Sequence, residues 1–469
     1  MKTSYSWALS AALTFACSAN LCAKAAPGVT TDAGSVFAQQ CNGVQSAPQY
    51  SQTTWGEAYI ASSRTETPGW REWPSSPQWT ADPKNLFVVV EGGDRPGVTL
   101  LDGGRLEPIH RFTLRSALRG VPKFAPDGRY AYFGSNDGWI TKVDLWNLRI
   151  TSEIRAGINL CDMVLSSDGK WLMAATEAPH TLALFDADLN LRSTYFANTL
   201  DGRQRSPISA VYDARPRKSF IVALNDIPEL WEISYNPAAE PIYDGLVHDY
   251  KMGEGIAKPG YLGVRRTRLD APLKELAFDE SHAYALGTSQ MRVDESSIVQ
   301  VVNLDVRRKI TELVVKGKPN LRASITFEYQ GTRVLAVPNL HTGVVSVIDV
   351  KTWKLLKNIE TPGPGYFIRS HEATPYAWTH SINRPADGHA LTIIDKRTLE
   401  VVTSVMYPYG QAVTGLEFTA DGHHVLVSLS GDHGFLIIYD AATLKEIKRL
   451  PMRNPTQIST PSPPVLPRR

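Results

Sequence analysis

From residue 81 onward, apolar and polar positions alternate in short runs, each broken by a turn signal. "APDGRYAYFGSNDGWITKVDLWNLRITSEIRAG" (125–157) is followed by "SSDGKWLMAATEAPHTLALFDADLNLRSTYF" (166–196). The same grammar returns in "EYQGTRVLAVPNLHTGVVSVIDVKTWKLLKNIET" (328–361) and "TADGHHVLVSLSGDHGFLIIYDAATLKEIKRLPM" (419–452). Each unit has a D-G-type turn, an alternating strand, a polar turn, a β-rich strand ending in Asp, and one more strand. Period-two alternation bounded by such turns predicts strands joined in hairpins.

The recurring acid sets the period. Asp102, Asp144 and Asp186 are spaced by 42 and 42 residues, and Asp305, Asp349, Asp395 and Asp440 by 44, 46 and 45. The 119 residues from Asp186 to Asp305 hold one more unit, "DARPRKSFIVALNDIPELWEISY" (213–235). A repeat of 40 to 50 residues with about four strands predicts a β-propeller. Units near 83–112, 121–155, 163–196, 208–235, 274–314, 323–360, 366–405 and 412–451 give eight blades, with 236–273 as a long insertion. The fold class is therefore all-β. One acid per blade cannot gather the six or more oxygens of a cation site, so the repeated Asp reads as turn chemistry.

The flanks differ. "MKTSYSWALSAALTFACSANLCAKA" has a basic start, an apolar stretch of about ten residues and a small-x-small end, which predicts a signal peptide over 1–25. Its apolar run is too short to span a bilayer, and no later run approaches the length required. The expected division is 1–25 signal peptide, 26–80 irregular leader, 81–453 propeller and 454–469 a disordered Pro-rich tail. The predicted compartment is the periplasm. Formal net charge is +2 from 49 basic and 47 acidic residues, so no global field selects nucleic acid or an anionic membrane. Cleavage near Ala25 would leave Cys41 and Cys161, two distant thiols that make no disulfide scaffold. No Cys/His cluster has zinc spacing, and there is no P-loop or G-x-S-x-G elbow.

Several longer stretches are specific. "HDYKMGEGIAKPGYLGVRRTRLDAPL" (248–273), "GWITKVDLWNL" (138–148), "SAVYDARPRKSFIVALNDIPELWEISY" (209–235) and "FIRSHEATPYAW" (367–378) resemble the d1-haem domain of the cytochrome cd1 family. Within it they resemble the biosynthetic branch, the dihydro-haem d1 dehydrogenases. The resemblance covers roughly 55 to 452 and implies an eight-bladed propeller of the cytochrome d1 type that binds haem d1, with a cytochrome c module ahead of it.

That module reads as lost. In "VFAQQCNGVQSAP" (36–48), Cys41 keeps one thiol of a C-x-x-C-H site, but Val44 and Gln45 stand where the second Cys and the His belong. No haem c is expected, and Cys41 in an unrelated leader predicts the same absence.

The resemblance also implies site residues. "SALRGVPKFAPDGRY" (116–130) resembles the segment with the proximal iron ligand, and Arg119 falls at the His position. A guanidinium has no lone pair for iron. On the distal side, Asn320 in "GKPNLRAS" stands for one family His, while His371 in "RSHEATPYAW" keeps the other and becomes the candidate catalytic and metal-ligating residue. Arg115, Arg119 and Arg369 are candidate partners for the tetrapyrrole's carboxylates, with Asn320 and Tyr376 beside them. Cys161 or Asp162 replaces a family Arg after "AGIN". His180 reads as structural, and His423 and His424 as a solvated turn.

Two functions follow. The first is binding of haem d1 or dihydro-haem d1, non-covalently, for its maturation or delivery beside periplasmic nitrite reductase or maturation proteins. If active, it is an oxidoreductase of the dihydro-haem d1 dehydrogenase type, with electron transfer and catalysis weakened. The second is a cofactor-free propeller acting as a protein-interaction platform. Nitrite reduction itself fits least, and the sequence leaves monomer or homodimer open.

Overall fold

The computed structural model describes residues 52–243, 257–383, 388–431 and 433–461. The expected signal peptide, Cys41 and the leader up to residue 51 lie outside these residues. The chain divides into a unit of residues 1–59 and one of residues 60–469. Of the first, the described part begins a helix, Gln52–Ser62. The second holds every described strand.

Eight antiparallel sheets form the blades of a propeller. The inner strands of blades 2 to 8 begin at Lys123, Ile158, Ile208, Lys274, Ile325, Ile368 and Ala412, and three further strands follow each in sequence order. Blade 1 is built differently. Its strands Leu86–Glu91, Gly97–Asp102 and Glu107–Thr113 come early in the chain, and Pro455–Ser459 from the far end adds the innermost strand. The register pairs Val88 with Ser459, Val89 with Ile458 and Val90 with Gln457. The expected disordered tail from 454 is therefore corrected: its first residues close the ring. Two other expectations shift. The insertion 236–273 contains the outer strand of blade 4, Val264–Arg268. In blade 2, Thr65–Glu66 from the expected leader adds a fifth strand beyond Arg149–Arg155.

The blade core is made of strands buried on both faces. Leu86–Glu91, Gly97–Asp102 and Ser219–Leu224 are buried at every position, so they read as apolar runs with little alternation. Apolar faces of neighbouring blades then interdigitate. One cluster joins Val164, Met173, Leu182 and Leu184 of blade 3 to Phe220, Val222, Trp231 and Ile233 of blade 4.

The turns explain the period. In blades 1, 2 and 8 the Asp at the end of the third strand accepts backbone N–H groups two and three residues on: Gly104 and Arg105 for Asp102, Trp146 and Asn147 for Asp144, Ala442 and Thr443 for Asp440. A residue in the left-handed region follows, with a bulge where pairing resumes: Leu106, Leu148, Leu189, Trp353, Leu399 and Leu444. Positive φ is costly for bulky side chains. Burial of Leu189 and Leu399, at 0% and 1% exposure, offsets that cost. In blade 5 the acceptor is Asn303, which takes the N–H groups of Asp305 and Val306. Asp305, read as the repeat acid, instead pairs with Arg217.

This topology sets up two ends. Antiparallel strands place the first-to-second and third-to-fourth turns at one end, and the second-to-third turns and blade-to-blade connections at the other.

Candidate functional site

The inner strands surround a central channel, and charged side chains from several blades meet in it. Arg322 lies in the connection into blade 6, within the single 3-10 turn Leu321–Ala323, anchored by buried Leu321. Its two terminal nitrogens donate to both carboxylate oxygens of Asp162, each at 2.8 Å. Asp162 sits on the inner strand of blade 3, Ile158–Leu165. A contact between blades three places apart in a ring of eight must cross the channel, since it cannot follow the wall.

Asp162 is held in place on its own side. It accepts the N–H of Val211, on the inner strand of blade 4, at 2.9 Å, and that of Met163 at 2.9 Å. Burial works to raise its pKa, but the charge and hydrogen bonds of Arg322, with Lys123 and the Val211 N–H, hold it below the usual carboxylate range. The Arg322 guanidinium also lies 5.3 Å from the Tyr212 ring on blade 4. Glu275 on blade 5 adds a carboxyl that burial pushes up, against the opposing charges of Lys318, Arg322 and Lys274. Its Oε2 is buried without a partner.

Lys123, on the inner strand of blade 2, faces the same group. Among the described residues no ion pair or hydrogen bond engages its ammonium. Its side chain is half-buried. Burial, with Arg322 adding to it and Asp162 opposing it, pulls its pKa down to about 8. On the far side, Arg369 of blade 7 stands 3.6 Å from Glu417 of blade 8, whose carboxyl burial pushes up.

The residues singled out in the sequence are dispersed. Arg119 and Asn320 lie in blade-to-blade connections, as does Arg115. Arg115 bonds Glu153 at 3.0 Å and lies over the Trp139 ring at 4.4 Å. Asn320 precedes the 3-10 turn and donates to the Tyr366 carbonyl at 2.7 Å. The backbone N–H of Arg119 bonds the Gly134 carbonyl. His371 is at the opposite end, in the turn between the first two strands of blade 7, with Tyr376 starting the second. Its Nδ1 accepts the Ala373 N–H at 3.1 Å, and its ring lies where a Cβ on Gly422 would fall, 2.2 Å from that nitrogen. The structure therefore brings Arg369 to an inner strand but does not bring His371 to Arg119 and Asn320. His180 lies in the second-to-third turn of blade 3, and its Nδ1 is buried without a partner. His423 pairs with Asp421 in an exposed turn. Among the described residues no three His, Cys, Asp or Glu side chains gather as a metal site.

Sequence reasoning missed Lys123 and Arg322. It also missed a pair in blade 7, where His380 Nε2 and His389 Nδ1 are 2.7 Å apart. Burial and the neighbouring His389 pull His380 down to about 3, so its imidazole is neutral. Tyr366 and Phe367 stack on it, each with centroids at 5.5 Å.

The arrangement suits an acidic ligand. Lys123, Lys274, Lys318 and Arg322 act on two carboxyls, Asp162 and Glu275, so four cations meet two acids. A tetrapyrrole with several peripheral carboxylates fits such a wall. Arg119 cannot supply an iron ligand, because its guanidinium has no free lone pair.

Comparisons with known proteins bear on the family and the fold. The family model for the cytochrome D1 heme domain matches residues 81–244 and 260–460. The dihydro-heme d1 dehydrogenase of Pseudomonas aeruginosa is 40% identical over 403 residues, 86% of this chain and 76% of that protein. Protein NirF of Stutzerimonas stutzeri is 28% identical over 345 residues, 71% of this chain and 81% of that protein. Among solved structures, dihydro-heme d1 dehydrogenase NirN in complex with DHE superposes with a TM-score of 0.77 at 40% identity, covering 89% of this chain and 84% of that one. An eight-bladed propeller with a charged channel, matched along most of its length, identifies the chain as a member of the cytochrome d1 haem domain family.

Proposed function

We propose that this protein binds haem d1 or its dihydro precursor non-covalently in the central channel and acts in its maturation or delivery. The observation that carries this reading is the match to NirN in complex with DHE over 89% of the chain. The charged channel supports it, because Lys123 and Arg369 on the inner strands of blades 2 and 7, with Lys318 and Arg322 in the connection into blade 6, could hold peripheral carboxylates. When bound, the tetrapyrrole would supply the redox-active centre, and the residues here would bind and orient it. Dehydrogenation of a propionate to an acrylate removes two electrons and two protons. Without haem c those electrons need an acceptor outside the chain, so the reading assigns this chain binding and orientation of the tetrapyrrole. Arg115, Arg119 and Asn320 are kept as candidate contacts at the end where Arg322 lies, and His371, with Tyr376, as the candidate catalytic and iron-ligating residue for a ligand that reaches the opposite end. The compartment is the periplasm, and the partners are nitrite reductase or maturation proteins there.

The second reading, a propeller without cofactor that docks proteins, draws on the Asp162–Arg322 pair, which spans the channel with side chains of the protein itself. Purification from the periplasm of a denitrifying host that makes haem d1 separates the two. The expected result is a d1-type pigment that acid extraction releases, with no haem-staining band after denaturation. Protein recovered without pigment favours the platform, and a covalent haem band overturns the reading of Cys41.

A further inference from the structure

Arg322 and Lys123 form two sides of an oxyanion site whose present occupant belongs to the protein. The planar guanidinium offers paired N–H groups that match a carboxylate, and Asp162 fills that fork with both oxygens at 2.8 Å. Asp162 has other donors, the N–H groups of Val211 and Met163. Its side chain is 8% exposed, whereas that of Arg322 is 40% exposed, so a ligand in the channel can reach the guanidinium. Lys123 is a second cation beside the same carboxylate, with no partner of its own among the described residues. One carboxylate between two cations leaves a net positive charge at the site, which an anionic ligand can offset. Lys274 and Lys318 outnumber Glu275 nearby, so the imbalance extends beyond the triad.

We propose that Asp162 occupies a carboxylate subsite formed by Arg322 and Lys123 in the ligand-free protein, and that an acidic side chain of the incoming tetrapyrrole takes its place. The inference rests on the haem d1 reading and adds the subsite and its internal competitor. Asp162 lowers affinity for any ligand carboxylate and keeps Arg322 neutralised until one arrives. The two cations favour acidic tetrapyrroles over neutral ones of the same shape, and competition from Asp162 narrows that preference.

The experiment compares haem d1 with its fully methyl-esterified form, by absorption titration, on wild type, Asp162→Asn and Lys123→Met. Asparagine keeps an acceptor for the Val211 N–H but gives up the charge that competes for Arg322. Asp162→Asn is expected to tighten haem d1 binding about tenfold, and Lys123→Met to weaken it about tenfold, with the ester's affinity unchanged by either. Thermal unfolding of each variant establishes that it is folded. If Asp162→Asn does not fold, Lys123→Met decides, and an unchanged affinity there overturns the subsite. Wild-type binding without a gain in Asp162→Asn, or an equal gain for the ester, also overturns it and leaves the haem d1 reading standing. Absence of binding in every form overturns both.

Discussion

A chain ending at Met452 is expected to fail to hold the closed ring. The strand it lacks, Pro455–Ser459, is the innermost of blade 1 and pairs with Leu86–Glu91, whose residues are all buried. Ile458, 4% exposed, packs with Phe87, Val89 and Leu101 of blade 1 and with Leu426, Leu436 and Ile438 of blade 8. Removal uncovers that cluster on both sides of the seam and leaves the edge of Leu86–Glu91 open to pairing with another chain. Loss of Ile458 alone corresponds to about 2–5 kcal/mol on the scale of buried aliphatic truncations. Strand hydrogen bonds and ring closure add to it. The melting temperature should fall by more than about 10 °C, with aggregation on heating. Ile458→Asp places a charge in the same cluster and should reproduce most of the loss. Retention of the wild-type transition in either protein would mean that the ring does not depend on this strand.

The second large effect lies between blades 3 and 4. Trp231→Ala is expected to cost about 3–5 kcal/mol, within the range for aromatic truncation in a packed core. Trp231 is 1% exposed, and its Nε1–H donates to Glu229 Oε2 at 2.9 Å. Arg266 lies over the ring at 4.4 Å and bonds the same Glu229 oxygen at 2.8 Å. Alanine opens a cavity against Phe220 and Val222, and it takes one of two donors from a nearly buried carboxylate. Trp231→Phe keeps most of the volume and loses only the donor, so it should cost about 1–2 kcal/mol. Urea unfolding checks both, through a lower midpoint at unchanged slope. Equal stability of the alanine and phenylalanine forms would show that the packed volume is not what the residue contributes.

Much of this architecture was legible because the blade is a local object. Each repeat's alternation, D-G turn and strand-ending Asp act within about 40 residues, and those contacts are the ones a single sequence displays. The acid at 305 was misplaced for a physical reason: asparagine accepts the same two turn N–H groups, so Asn303 does the work while Asp305 supplies only an ion pair. The closing strand escaped because "RNPTQISTPS" is polar and Pro-rich, and its partner, Leu86–Glu91, lies more than 360 residues earlier in the sequence. Pro455 fits there because it begins the strand, where its missing N–H costs little.

The site was legible only in part. A charged residue four positions before the turn acid recurs in three blades: Lys123 before Asp127, Glu275 before Asp279 and Glu417 before Asp421. On otherwise apolar inner strands that spacing was a signal for the channel lining, and it went unused. Arg322 and Asp162 are 160 residues apart and meet only because the ring closes, so no local pattern announces the pair. His371 drew attention through its surrounding motif, yet strand direction alone fixes its turn at the end away from Arg119 and Asn320.

The central claim is that this channel takes haem d1. The most direct test is an absorption titration of the purified, metal-free and haem-free protein with haem d1, followed by gel filtration of the mixture. The account predicts a saturable shift of the pigment's bands at one equivalent and co-elution with the protein. Bands that move no further than in protein-free buffer, with pigment and protein eluting apart, would contradict it.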